Sequence, residues 1–251
     1  VEYKVIQNLM FGPKGKAARQ KIDIYTYEDG LQKYDSTLTV ENQKFDYYGN
    51  VIDSVEFKWA DASQAELIYT KTIHNDYNDL LARKRGNASE TTVTRYTSLD
   101  RTDDTIIDRT ITTTKLFDAR GYAIDRENMT YLMDTFTDPL APELKLVSKM
   151  VIHNADIDAR GNAGKQYIEN YETDETGLEA TLEMTSYQIV TTREFDSRGN
   201  AMDKTILNYD KAKSDGSMDG HLLLDIQEIR SSRFLSSGVA LHEMVAIYLD
   251  E

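Results

Sequence analysis

An apolar residue, a glycine four positions later, a small residue two beyond the glycine and an aromatic ring ten beyond it recur seven times along this chain of 251 residues. The leading position is Phe11, Phe45, Phe117, Phe195 and Phe234 in five copies, and Ala82 and Ile157 in the other two. The glycines are Gly15, Gly49, Gly86, Gly121, Gly161, Gly199 and Gly238, followed by Ala17, Val51, Ala88, Ala123, Ala163, Ala201 and Ala240. The rings are Tyr25, Trp59, Tyr96, Tyr131, Tyr171, Tyr209 and Tyr248. Successive glycines stand 34 to 40 residues apart, too regular for scattered signals and too loose for a strict fibre, which predicts a repeat architecture with loops of variable length.

Each glycine closes a tight turn. Asp at the first position and Gly at the fourth, as in Asp118-Ala119-Arg120-Gly121, Asp158 to Gly161 and Asp196 to Gly199, is the preference of a type I turn whose glycine takes the left-handed conformation of a bulge. A loop of three residues ending in Gly then fixes the register. Phe195 falls opposite Ala201, and apolar residues meet further out: Ile6 with Ile22, Ile152 with Ile168, Val190 with Ile206 and Ile229 with Val245. Polar residues meet between them: Asn8 with Gln20, Asn42 with Ser54, Asn154 with Gln166 and Thr192 with Lys204. A slip of one residue would scramble these pairs, so turn chemistry and cross-strand pattern agree independently.

Segments such as Thr91 to Tyr96 and Ser186 to Thr192 are rich in Thr, Tyr, Val and Ile, and the chain holds three Pro. Longer polar loops at Asp100 to Asp104, Asp138 to Glu143, Thr173 to Gly177 and Ser214 to Gly220 join successive hairpins. The expected fold is all-β: seven antiparallel hairpin repeats, about fourteen strands, in up-and-down order in a curled sheet, shell or wide barrel. Residues 1–251 form one continuous array with no domain boundary. A seven-bladed propeller is the alternative, but a blade needs four strands, and Leu178 to Phe195 contains no Gly, Pro, Asn or Asp to break it. Both faces carry apolar and charged residues, unlike a sandwich with a dry inner face.

A net charge of −14 disfavours nucleic acid and anionic lipid as partners. Mean hydropathy of −0.56 and the lack of any long apolar run argue against membrane insertion. With no Cys there is neither a disulfide framework nor thiol chemistry. The start at Val1-Glu2-Tyr3 is expected for a piece of a longer polypeptide.

The turn sequence Phe-Asp-x-Arg-Gly-Asn-Ala resembles the Tyr-Asp repeat of the Rhs-type (YD-repeat) family, the matching stretches being Phe45 to Asn50, Phe117 to Tyr122, Ile157 to Asn162 and Phe195 to Asn200. It is also similar to hairpin-repeat arrays of very long bacterial surface proteins. The resemblance spans about eight residues per unit and departs in its longer period, in Phe for Tyr, and in lacking the family's core motif and self-cleavage element. It implies an extracellular or cell-surface, non-catalytic scaffold, or the wall of a toxin-enclosing shell.

No residue pattern points to catalysis, a cofactor or a metal centre. Gly12-Pro13-Lys14-Gly15-Lys16 lacks the Ser or Thr a phosphate loop needs after its Lys. Asp46 with Asp53, Asp118 with Asp125 and Asp196 with Asp203 could bring carboxylates to a calcium ion, as could Asp215 to Asp219, although turn bonding already explains the first of each pair. His74, His153, His221 and His242 stand at different offsets from their glycines and so are not expected on a shared rung. Asn87 and Asn128 fit glycosylation acceptors but lie in or beside strands. The expectation is a non-enzymatic extracellular segment of a larger bacterial surface or secreted protein, acting as scaffold or adhesive surface. The alternative is a carbohydrate-binding or ligand-binding module using the ring row. Protein or glycan partners would meet the variable loops, and edge strands would serve self-association.

Overall fold

The computed structural model describes residues 2–28, 31–135, 143–210, 222–235 and 238–249. Its strands are β1 (Glu2–Phe11), β2 (Ala17–Glu28), β3 (Leu31–Phe45), β4 (Val51–Trp59), β5 (Leu67–Asp76), β6 (Glu90–Tyr96) and β7 (Ile106–Phe117). They continue with β8 (Ala123–Asp134), β9 (Glu143–Ile157), β10 (Ala163–Glu172), β11 (Glu183–Phe195), β12 (Ala201–Tyr209), β13 (Leu223–Phe234) and β14 (Ala240–Leu249). All lie in one sheet in sequence order, the up-and-down array that two strands and one tight turn per unit dictate. Two of the expected closures do not occur. The sheet is open, with β1 and β14 as its edges, so it is not a barrel, in which every strand would have two partners. Nor is it a propeller, because each unit contributes two strands to a shared sheet instead of four to a separate blade.

The chain divides into two compact units, Val1–Thr113 with Thr130–Lys145, and Thr114–Met129 with Leu146–Glu251. The first holds the turns at Gly15, Gly49 and Gly86, the second those at Gly121, Gly161, Gly199 and Gly238. In the first unit Phe11 pairs with Ala17, Phe45 with Val51, Ile6 with Ile22, Asn8 with Gln20 and Asn42 with Ser54. In the second, Ile157 pairs with Ala163, Phe195 with Ala201, Phe234 with Ala240, Ile152 with Ile168, Val190 with Ile206 and Ile229 with Val245. Asn154 with Gln166 and Thr192 with Lys204 complete the expected polar rungs. Between those rungs and the turns of β1–β2, β3–β4 and β11–β12, two opposite one-residue shifts cancel, so the register survives a local bulge in both strands.

The third repeat departs from the expected hairpin. Ala82 does not lead into a tight turn opposite Ala88; it sits fully buried in a short helix, α1 (Leu80–Arg85), and the ladder closes lower down, where Asp76 pairs with Glu90. The Asp79 side chain accepts from the Ala82 N–H as an N-cap, and Leu80 to Arg85 are good helix formers. Gly86, at φ 82°, becomes the left-handed C-cap of α1. Turn and cap ask for the same backbone conformation, so the glycine keeps its place in the pattern while the local structure changes.

Burial shows how such a sheet holds together without a conventional core. Along β10 and β12 nearly every residue is half-buried, with none of the in-and-out alternation of a sheet covered on one side. Side chains on both faces are shielded by neighbours on adjacent strands. Among the described residues the buried set mixes apolar groups such as Ile24, Val55 and Leu146 with Ser36, Thr37, Thr39, Thr70 and Thr94. Thr37 Oγ1 donates to Asp23 Oδ1 at 2.5 Å, which satisfies one of these hydroxyls. Of the joining loops, residues 138–142 and Ser214 to Gly220 lie outside the described residues.

Candidate functional site

The tight-turn rim is where the repeat concentrates its specific side-chain chemistry. In the second repeat the Asp46 N–H donates to the Asn50 carbonyl at 2.9 Å and the Gly49 N–H to the Asp46 carbonyl at 3.1 Å, the three-residue loop the sequence predicts. Asp46 Oδ1 accepts from the N–H groups of Tyr48 and Asn50, both at 2.8 Å. The same arrangement recurs at Asp118, Asp158 and Asp196. The backbone N–H of Asn162 and the turn's other donors hold the Asp158 carboxyl down to about 2. At Asp46 burial pushes the other way, but Arg83, Asn50 and Tyr48 outweigh it and the carboxyl is again lowered. All seven glycines have positive φ, from 72° at Gly15 to 93° at Gly161.

Each turn also reaches the next. In the second unit Arg120, one before its glycine, donates through Nη1 to the Asp158 carbonyl at 2.8 Å and through Nη2 to the Ile157 carbonyl at 3.0 Å. Arg160 Nη1 donates to the Asp196 carbonyl at 2.8 Å, and Arg198 to the carbonyls of Leu235 and Phe234, each at 3.0 Å. In the first unit Asn50 Nδ2 performs this role on the Arg83 carbonyl at 2.6 Å, and Arg83 Nε returns a bond to the buried Asp46 carboxylate at 2.7 Å. Each bracket takes the carbonyl three residues before the next glycine, and Arg120 and Arg198 also take the one before that. A planar guanidinium spans two adjacent carbonyls, which a lysine ammonium would not do with the same geometry.

In the second unit the residue after a glycine lies against the glycine of the following turn. A Cβ on Gly161 would meet the Tyr122 ring at 2.4 Å; on Gly199 it would meet Asn162 Oδ1 at 2.8 Å, and on Gly238 Asn200 Oδ1 at 3.0 Å. These glycines therefore serve both backbone conformation and close approach. In the first repeat, Pro13–Gly15 forms a single 3-10 turn and Lys14 Nζ stands 5.0 Å from the Tyr47 ring centre and 5.7 Å from that of Tyr48.

The aspartate pairs considered for calcium are engaged separately. Asp46, Asp118 and Asp196 bond their own turns, whereas Asp53 faces His74, Asp125 faces His153 and Asp203 binds Arg193. The loop Asp215 to Asp219 lies outside the described residues, as does His221. The histidines require a correction: His74 Nδ1 lies 2.5 Å from Asp53 Oδ1 and His153 Nδ1 lies 2.5 Å from Asp125 Oδ1. They occupy equivalent rungs, each facing the Asp four residues after the preceding glycine. Counting from Gly86 hid this, because α1 lengthens that repeat between strand and glycine. Hydrogen bonding to Asp53 raises the His74 imidazole above its ordinary value.

Six of the seven row rings are half-buried and Tyr248 is exposed. Tyr25 lies 6.1 Å from Tyr3 and 5.7 Å from Tyr34; Trp59 stacks 6.3 Å from Phe57, and Tyr209 lies 6.1 Å from Tyr187. Tyr171 donates its hydroxyl to Glu169 at 2.8 Å, and burial together with that carboxylate raises it to about 12. On the opposite rim a polar hollow of about 630 Å³ is lined by Glu172, Asp174, Thr181 and Glu183. Asp174 there is already bonded by Thr176 and Thr181. Asn87 follows the C-cap of α1, its N–H donating to the Ala82 carbonyl, and Asn128 lies within β8. No helix of the described residues is long and apolar enough to cross a membrane. Set beside models of known protein families and beside curated proteins, the chain matches none.

Proposed function

We propose that this chain is a non-enzymatic β-hairpin repeat segment of a larger bacterial surface or secreted protein, working outside the cell as a scaffold or adhesive surface. The observation that carries the reading is the turn ladder. The most specific side chains of the second unit, Arg120, Arg160 and Arg198, are engaged on the backbone of the neighbouring turn. A chain that spends its guanidinium groups on repeat-to-repeat contacts has the design of a load-bearing array, whose stability accumulates unit by unit. The row of rings lends less to a glycan-binding reading, since all but Tyr248 are partly covered by neighbouring strands.

Single-molecule pulling tests the scaffold reading. Force applied between the termini should give successive unfolding steps of one or two hairpins each, and surface labelling of the parent protein in intact cells should detect the segment. Turnover of a substrate, or a single low-force unfolding event together with labelling only after lysis, would overturn it.

A further inference from the structure

The two residues before the glycine are used differently in the two units. In the second unit they are Ala119-Arg120, Ala159-Arg160 and Ser197-Arg198, a small side chain and then the guanidinium that grips the next turn. In the first unit they are Pro13-Lys14, Tyr47-Tyr48 and Lys84-Arg85. There Asn50 takes over the grip of the second turn on the third. Tyr47 and Lys84 thus stand at a repeat position that the second unit fills with Ala or Ser, where the turn itself asks for no large side chain.

These side chains gather on one rim of the first unit, around the second turn, which has a neighbouring turn on either side. Tyr47 is 81% exposed, and Tyr48 lies edge-on to it with ring centres 5.3 Å apart and planes at 85°. Lys14 of the first turn sets its ammonium 5.0 Å from the Tyr47 ring centre, and Arg83 of the third repeat sets its guanidinium 5.7 Å from that of Tyr48. Lys84 and Arg85 follow on α1, both exposed. The carboxylates nearest in sequence are already engaged, Asp46 by its own turn and Arg83, Asp79 as the cap of α1. Asp61, Glu66, Asp103 and Asp104 lie in loops at the opposite ends of the strands. A strand of nine residues such as β4 puts them roughly 30 Å away. A Debye length of about 8 Å screens charges at that range, so the net charge of the whole chain does not set the potential at this rim.

We infer that this rim binds an anionic polysaccharide, with a sugar ring stacked on the Tyr47 face turned away from Lys14 and its carboxylate, sulfate or phosphate groups met by Lys14, Lys84 and Arg85. An exposed phenol ring suits the C–H face of a sugar whose hydroxyls stay wet, and cations fixed beside the ring select acidic sugars over neutral ones. Two other anionic partners fit less well. Rings at right angles do not offer the parallel planes on which successive bases of a single strand stack. Leu80 and Leu81 are exposed on α1, but together they carry less apolar surface than one acyl chain, which itself holds a protein to a membrane only reversibly. The inference rests on the adhesive-surface reading and gives that surface a ligand class and a place, apart from the seven-ring row and the variable loops.

Calorimetric titration of the chain with short polygalacturonate and with dextran sulfate, against uncharged dextran, tests this. At least one of the two acidic chains should bind, and dextran should not. Tyr47→Ala should weaken that binding about tenfold and Tyr47→Phe much less, with circular dichroism and melting unchanged because the ring is exposed. Lys84→Gln should weaken it about threefold and flatten its dependence on salt, and it carries the test should the second turn not tolerate alanine. Affinity weaker than about 1 mM for both acidic chains, equal affinity for dextran, or no effect of Tyr47→Ala and Lys84→Gln would overturn the inference. So would tighter binding of single-stranded DNA or of vesicles of anionic phospholipid. A chain that ignores both polysaccharides yet unfolds unit by unit and labels on intact cells counts against this site alone; loss of the stepwise unfolding or of the surface labelling counts against the reading beneath it.

Discussion

Arg160 in one turn donates to the main-chain carbonyl of Asp196 in the next, 2.8 Å away and 36 residues along the chain. Asp196 in turn uses its side chain to hold its own loop, accepting from the N–H groups of Arg198 and Asn200. One residue type therefore folds a turn and another ties it to its neighbour, so the two contributions can be separated by mutation.

Replacing Arg198 with Ala removes two charge-assisted bonds to carbonyls, and with Lys removes the two-carbonyl geometry while keeping the charge. The side chain is half-exposed, so Arg198→Ala should cost about 1 kcal/mol, with Lys recovering less than half of it. Urea unfolding monitored by circular dichroism measures both.

Gly15 and Gly161 share a left-handed backbone but differ in their surroundings. Nothing lies within 4 Å of a Cβ at Gly15, whereas the Tyr122 ring lies 2.4 Å from one at Gly161. Gly15→Ala should cost about 1 kcal/mol from conformation alone, and Gly161→Ala about 2–3 kcal/mol. Adding Tyr122→Ala to Gly161→Ala should bring the two alanine penalties together, and a double-mutant cycle reads the coupling. Additive losses would refute the steric account.

The turn aspartates give the fold an acid-sensitive term. Asp158 is held at about 2, chiefly by the Asn162 N–H, and Asp46, Asp118 and Asp196 are lowered as well. A carboxylate lowered on folding stabilises above its unfolded value, near 4, and that stabilisation disappears as pH falls through the folded value. These aspartates should therefore add nothing to the pH dependence of the melting temperature above about pH 5 but lower it toward pH 2, and Asp158→Ala should shrink that fall.

At the alkaline end Tyr171 behaves oppositely. Burial and Glu169 raise its hydroxyl to about 12, so the contribution is whole below the unfolded value near 10 and lost as pH rises through 12. Tyr171→Phe should reduce the alkaline loss of stability. His74 follows the same sign at lower pH: raised by Asp53, it stabilises below about 6.5 and that gain is lost as pH climbs through its folded value. Its titration followed by NMR gives the midpoint directly.

The hairpin register was readable because a three-residue loop leaves a single pairing, and side chains such as Phe195 and Ala201 or Ile152 and Ile168 agree with it. The third repeat misleads because a glycine completes a bulged turn and caps a helix with the same backbone angles; only the run Asp79 to Arg85 distinguishes them. The His74 and His153 rung was obscured by that same lengthening. The brackets from Arg120, Arg160 and Arg198 leave a visible trace, Arg before Gly, but sequence spacing does not tell which carbonyl 36 to 38 residues away would accept them. Asn42 and Asn154 read in the sequence as polar partners within their own hairpins, while their reach across to the previous hairpin emerges only in three dimensions.

Every carbonyl bracket along the second unit's turn rim runs the same way, from an earlier arginine to a later backbone. A ribosome delivers them in that order. Each guanidinium is thus made before the peptide it will grip, so a newly finished hairpin can dock on a partner synthesised earlier, and the array can add its units in the order of synthesis.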